Sequence, residues 1–179
     1  DVGWALEHGY PPRELIPMLE KLVAHAPTGS DAALFGMREL SKLLVEKNPW
    51  RAARLARDVL AHADDVETWR TLGVALSMLG HYRAAVRAYD HALTHDASCP
   101  IATHNLGHLY DVALNRPDRG LRYLATALRV APHDLEIRAS HAHALCRLGR
   151  SDEALVSLGE HLPGGRDEAR AMVLRWTTA

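Results

Sequence analysis

The strongest constraint on this chain is that it repeats. Trp69, Leu72, Gly73 and Leu76 return 34 residues later as Thr103, Leu106, Gly107 and Tyr110. A third copy carries Ala142, Leu145, Gly149, Ala154 and Leu158. A period of this length is one helix–turn–helix unit, which cannot bury its apolar side alone and so stacks on its neighbours.

Each unit reads as a helix pair. Trp69, Leu72, Gly73 and Leu76 lie at i, i+3, i+4 and i+7, one face of a helix. Asp64 or Asp65 is suited to its N-cap, Glu67 to its first turn and Gly80 to its C-terminal stop. A second apolar stripe of Tyr82, Ala85, Val86, Tyr89, Ala92 and Leu93 follows at once, and so short a connection forces antiparallel helices. A helical glycine costs about 1 kcal/mol relative to alanine, so Gly73 implies a close neighbour, with Tyr89 as the side chain needing the slot. The second copy has its partner helix in Gly120, Leu124 and Ala127, then Pro132, with one residue inserted near Leu114.

The pattern Trp69-x2-Leu72-Gly73-x2-Leu76, followed by Ala85, Tyr89 and a late Pro132, resembles the tetratricopeptide repeat family. The match runs over 66–132 and continues more loosely to about Leu162. Thr103 and Arg138 replace the aromatic, and His141 the first leucine. The resemblance implies an all-α, right-handed α-solenoid of antiparallel helix pairs. In that family the first-helix faces line a concave groove that binds a peptide or helix of a partner protein.

Composition agrees with an all-α reading. Nearly half the residues are apolar, Val, Ile and Thr form no alternating runs, and the formal net charge is −1 with both signs intermixed. No basic stripe points to nucleic acid, and no apolar run is long enough to span a membrane. Cys99 and Cys146 lie far apart, so no disulfide is expected, and a cytoplasmic, reducing location is the expectation. The chain begins at Asp1 rather than Met, as a fragment would, and a removed signal peptide fits that start equally.

Read in order as a single solenoid domain over 1–179, the chain divides into three parts. Residues 1–65 form degenerate helix pairs, with Leu15, Met18, Leu19 and Leu22 in one stripe, and Leu34, Met37, Leu40, Leu43 and Leu44 in the next. Arg51, Arg54 and Arg57 give the following helix a solvated basic face. Residues 66–162 hold the three clearer repeats. After Pro163-Gly164-Gly165, Ala169, Met172, Val173 and Trp176 mark a C-terminal capping helix over 163–179.

A rotation of about 100° per residue gives the side of each first helix that faces away from its partner. It carries Arg70, Thr71, Val74 and Met78, then Ile101, His104, Asn105, His108 and Val112, then Ser140, His143 and Arg147. Asn105 both donates and accepts, which suits a peptide backbone, and Arg70 and Arg147 suit a carboxylate. Some family members clamp a C-terminal carboxylate with Lys, Asn and Arg. Arg70 and Asn105 match that set, but Val74, Glu136 and Ser140 stand where Asn, Lys and Arg would be needed, which disfavours that ligand.

Two alternatives are weighed against a peptide-binding scaffold. One is self-assembly into a homo-oligomer through the irregular first pair or the Trp176 helix. The other is a divalent metal site on His104, His108 and His143 with Asp111 nearby. No nucleophile motif, phosphate loop or cofactor fingerprint is present, so no enzyme activity and no cofactor are expected. His141, on the inward stripe, is expected to bond a backbone carbonyl.

Overall fold

A computed structural model describes residues 2–178, and all their regular structure is helical. The first compact unit ends at His95 and the second begins at Asp96. The first contains α1 (Val2–Glu7), α2 (Pro12–His25), α3 (Asp31–Leu44), α4 (Pro49–Leu60), α5 (Val66–Met78) and α6 (Tyr82–His95). The second contains α7 (Pro100–His108), a π-turn (Leu109–Ala113), α8 (Pro117–Val130), α9 (Leu135–Arg147), α10 (Ser151–Gly159) and α11 (Gly165–Thr177). Within each unit successive helices pack on one another, the all-α fold of helix pairs expected from the repeat.

Local chemistry sets the helix ends. Pro12, Pro49, Pro100 and Pro117 occupy first-turn positions, where a missing N–H costs nothing. Ser30, Asn48, Asp65 and Asp134 cap α3, α4, α5 and α9, each accepting a backbone N–H; the Asp65 bond from Thr68 is 2.8 Å. Of the two candidate caps for α5, Asp65 fills the role, and Asp64 instead accepts the indole N–H of Trp69.

The α5–α6 pair closes as its sequence implies. A Cβ on Gly73 would stand 2.5 Å from Tyr89 Cε1, and Tyr89, Ala85 and Ala92 are all buried. Tyr82 is the exception to the expected inward stripe: it lies at the start of α6 and is exposed. In the second unit the near neighbour is backbone rather than a side chain. A Cβ on Gly120 would meet the Gly107 carbonyl oxygen at 2.7 Å and the Asp111 nitrogen at 2.9 Å.

The inserted residue expected in the turn near Leu114 is absorbed upstream, inside the first helix itself. The helix widens to a π-turn over Leu109–Ala113, and Asn115 follows with φ 52°. A single extra residue in a helix either breaks the i→i−4 ladder or widens it to i→i−5, and here it widens. The last helix, α11, buries Ala169 and Val173 against α10 and α9, with Trp176 half-buried and Arg166, Asp167, Arg170 and Arg175 outside. Leu174 lies on that outer side as well, 64% exposed.

The two glycine contacts give a test. On an open helix surface Gly→Ala would stabilise by about 1 kcal/mol. Here Gly73→Ala is expected to destabilise by about 1–3 kcal/mol through overpacking on Tyr89. Gly120→Ala should cost more, because backbone rather than a side chain must move. Urea unfolding followed by helical circular dichroism checks both, and stabilisation by either substitution would contradict the packing.

Candidate partner-binding faces

In the second unit, α7, the π-turn and α9 carry eight of the side chains marked out by the sequence. They sort into two sets. Ile101, Asn105, His108 and Val112 form a stripe along α7 and the π-turn; Ile101 and Val112 are each about half exposed, at 49% and 50%, and His108 is exposed. The Asn105 amide has no hydrogen-bond partner among the described residues, and the contact recorded for His108 is a tilted one with the His104 ring, 6.2 Å between centroids.

The second set is occupied from within. His104 is buried, and its Nε2 lies 2.9 Å from Ser140 Oγ on α9. Asp111 is 1% exposed and takes two partners: His143 Nδ1 at 2.6 Å on Oδ2, and the Arg147 guanidinium at 3.0 Å on Oδ1. Arg147 also donates to the Asp111 carbonyl and to Asn115 Oδ1, closing the end of the π-turn. The His143 ring then meets Trp176 of α11 edge-on, 5.5 Å between centroids. Arg147 therefore holds a carboxylate, as its chemistry suggested, but that carboxylate belongs to Asp111.

The first unit shows the same division. Thr71 is buried and its hydroxyl donates to the Glu67 carbonyl of its own helix. Arg70 lies 3.6 Å from Glu67, which also takes Lys42 of α3 at 3.3 Å. Arg38 of α3 bridges to Asp65 at 3.1 Å. Val74, partly covered, and Met78, 50% exposed, remain as open apolar positions on α5. Neighbouring first helices are thus joined by polar contacts in each unit.

These commitments bear on a metal site. His104 and His143 each spend a ring nitrogen on an internal partner, and among the described residues no group of three His, Cys, Asp or Glu is arranged to hold an ion. Cys99 and Cys146 are buried free thiols. No helix of the described residues is long and apolar enough to cross a membrane.

Two α9 side chains depart from expectation. Arg138, at the position of Trp69, is buried, donating to the Pro132 and Ser157 carbonyls while its Nε has no partner. His141 does not bond a backbone carbonyl through Nδ1, which is buried without a partner. Burial, then the charges of Arg138 and Arg150, pull the His141 imidazole below the ordinary histidine range, with Glu153 opposing. His104 is lowered chiefly by burial, and by His108, against Glu136 and Asp134.

Asp111 is the residue the sequence most undervalued, marked there only as a flank of the metal alternative. The available signal was an acid beside a one-residue insertion in a helix, since a widened turn leaves backbone groups that need partners.

Comparison with known proteins places this fold among tetratricopeptide-like ones. No protein-family model matches the chain, and no curated protein matches it by sequence. Solved structures do match. A crystal structure of MamA superposes with a TM-score of 0.75 at 20% identity, covering 96% of this chain and 97% of that one. MamA from Desulfovibrio magneticus RS-1 gives 0.73 at 15%, over 99% and 91%. A tetratricopeptide repeat protein from Parabacteroides merdae gives 0.77 at 16%, over 99% and 71%.

The lowered imidazoles predict a pH response. A histidine whose folded pKa is depressed stabilises the fold above its unfolded value, about 6.5, and that contribution is lost as pH falls below it. Melting temperature should therefore drop between pH 7 and pH 5. His141→Leu, which restores the residue type of Leu72 and Leu106, should melt higher and lose part of that slope. An unchanged slope in the variant would show that His141 does not contribute.

Proposed function

We propose that the chain is a non-catalytic protein-interaction module that receives a peptide or helix of another protein on its first-helix faces. The observation that carries this reading is the division of labour in the second unit. His104, Ser140, His143 and Arg147 are spent on fixing α9 to α7 and the π-turn. Beside them Ile101, His108 and Val112 stand open at helical spacing, with Asn105 partly exposed between them. Two apolar footholds separated by an amide and an imidazole suit a partner backbone crossing the helix, with Asn105 and His108 supplying hydrogen bonds and Ile101 and Val112 the buried area. The first unit has a face of its own on α5, where Val74 and Met78 are apolar positions and Arg70, only loosely held at 3.6 Å from Glu67, is a donor. The tetratricopeptide-like fold supports this reading.

A rigid face lowers the ordering cost of binding, because the side chains beneath the ligand are already fixed. The test is capture from native lysate, with chelator present, by wild type and by an Asn105→Ala, His108→Ala, Val112→Ser variant. The variant should stay within about 0.5 kcal/mol of wild type in stability, since His108 and Val112 are exposed and the partly exposed Asn105 amide has no hydrogen-bond partner among the described residues. Partners retained by wild type and lost by the variant would support the face as the binding surface; identical captures would refute it.

A further inference from the structure

The first unit has a second surface, at one end of its helices. Helices joined by short connections alternate in direction, so the α1–α2, α3–α4 and α5–α6 turns lie at one edge and the α2–α3 and α4–α5 turns at the other. At the first edge each turn presents an exposed aromatic beside a cation. Tyr10 precedes Arg13, Trp50 precedes Arg51 and Arg54, and Tyr82 precedes Arg83 and Arg87. Trp50 is 63% exposed, and the Arg54 guanidinium lies 5.5 Å from its ring centroid. The opposite edge is mixed in charge, with Asp31, Asp58, Asp64 and Asp65 beside Arg57, His25 and His62, and among the described residues it has no corresponding row of exposed aromatics.

Most cations of the aromatic edge lack an acid of their own. Arg51 is paired with Glu20 at 2.6 Å and Arg13 loosely with Glu14 at 3.7 Å. Lys47, Arg54, Arg83 and Arg87 have no carboxylate partner among the described residues, and the acids left nearby are Glu7 and Glu46. Exposed tryptophan, tyrosine and arginine are the residue types that dominate binding energy when a partner covers them. The unpaired cations set the sign of what covers them.

We propose that this edge docks an acidic, apolar-interspersed segment of a partner protein, running across the three turns with Trp50 and Arg54 at its centre. Arginine stacked on an aromatic face keeps its N–H donors for a carboxylate, so one site can bind an acid and an adjacent apolar side chain together. A bilayer is a poorer fit. Membrane-surface binding uses a continuous apolar helix face, whereas here single aromatics alternate with charge on separate turns. This edge is distinct from the open face of α5, and its occupation does not depend on that face.

A fluorescein-labelled peptide of repeating Asp-Leu-Glu, about 15 residues long, tests the proposal by anisotropy against the whole chain. Wild type should bind saturably and more weakly as salt is raised. Trp50→Ala with Arg54→Glu should weaken binding at least tenfold, and so, independently, should Arg83→Glu with Arg87→Glu, while the Asn105→Ala, His108→Ala pair leaves it unchanged. Both edge variants should melt like wild type, as exposed side chains. No binding by wild type, or equal binding by the edge variants, overturns the proposal. Sedimentation with phosphatidylserine vesicles in place of peptide binding overturns it in favour of a lipid surface.

Discussion

Everything in this structure depends on how closely two helices can approach. At Gly73 the Tyr89 ring fills the space of a missing side chain, and at Gly107 and Gly120 the two backbones face each other with no side chain between them. Glycine inside a helix is locally unfavourable, so these positions are tolerated only because the approach returns more in buried contact than propensity removes. That close approach sets the orientation of each first helix, and with it which side chains turn inward and which stay open.

The second consequence is at the contacts between first helices. Where α7 and the π-turn meet α9, a carboxylate with 1% exposure is satisfied by an imidazole and a guanidinium from the neighbouring repeat. A buried acid without partners would be strongly destabilising, so the cluster holds as a unit. In the first unit Arg38–Asp65 and Lys42–Glu67 join α3 to α5 in the same sense, at partly exposed positions where each pair contributes less. The polar residues of a first-helix face therefore have two occupations, joining repeats and meeting a partner, and a helical wheel assigns both to the same side.

That ambiguity explains what could be read in advance. The period, the glycine slot for Tyr89, the capping acids, the amphipathic stripe of α11 and the stripe from Ile101 to Val112 all follow from spacing within one helix or one pair. The burial of Thr71 and His104, and the capture of His143 and Arg147 by Asp111, depend on register between repeats, which no single-helix pattern encodes. The inserted residue was visible, but whether it lengthened a turn or widened a helix depended on Asp111 and Arg147 closing the π-turn. His141 occupies a position that is leucine in the other copies, and its Nδ1 is buried without a partner.

The central claim is that Arg147 belongs to the fold and not to a ligand. A double-mutant cycle of Asp111→Ala and Arg147→Ala, read by urea unfolding, tests it directly. The structure predicts that Arg147→Ala alone destabilises, and that the two substitutions are coupled by about 1 kcal/mol or more, as expected for residues sharing a buried network. Additive effects, with Arg147→Ala leaving stability unchanged, would contradict it and return Arg147 to the open face.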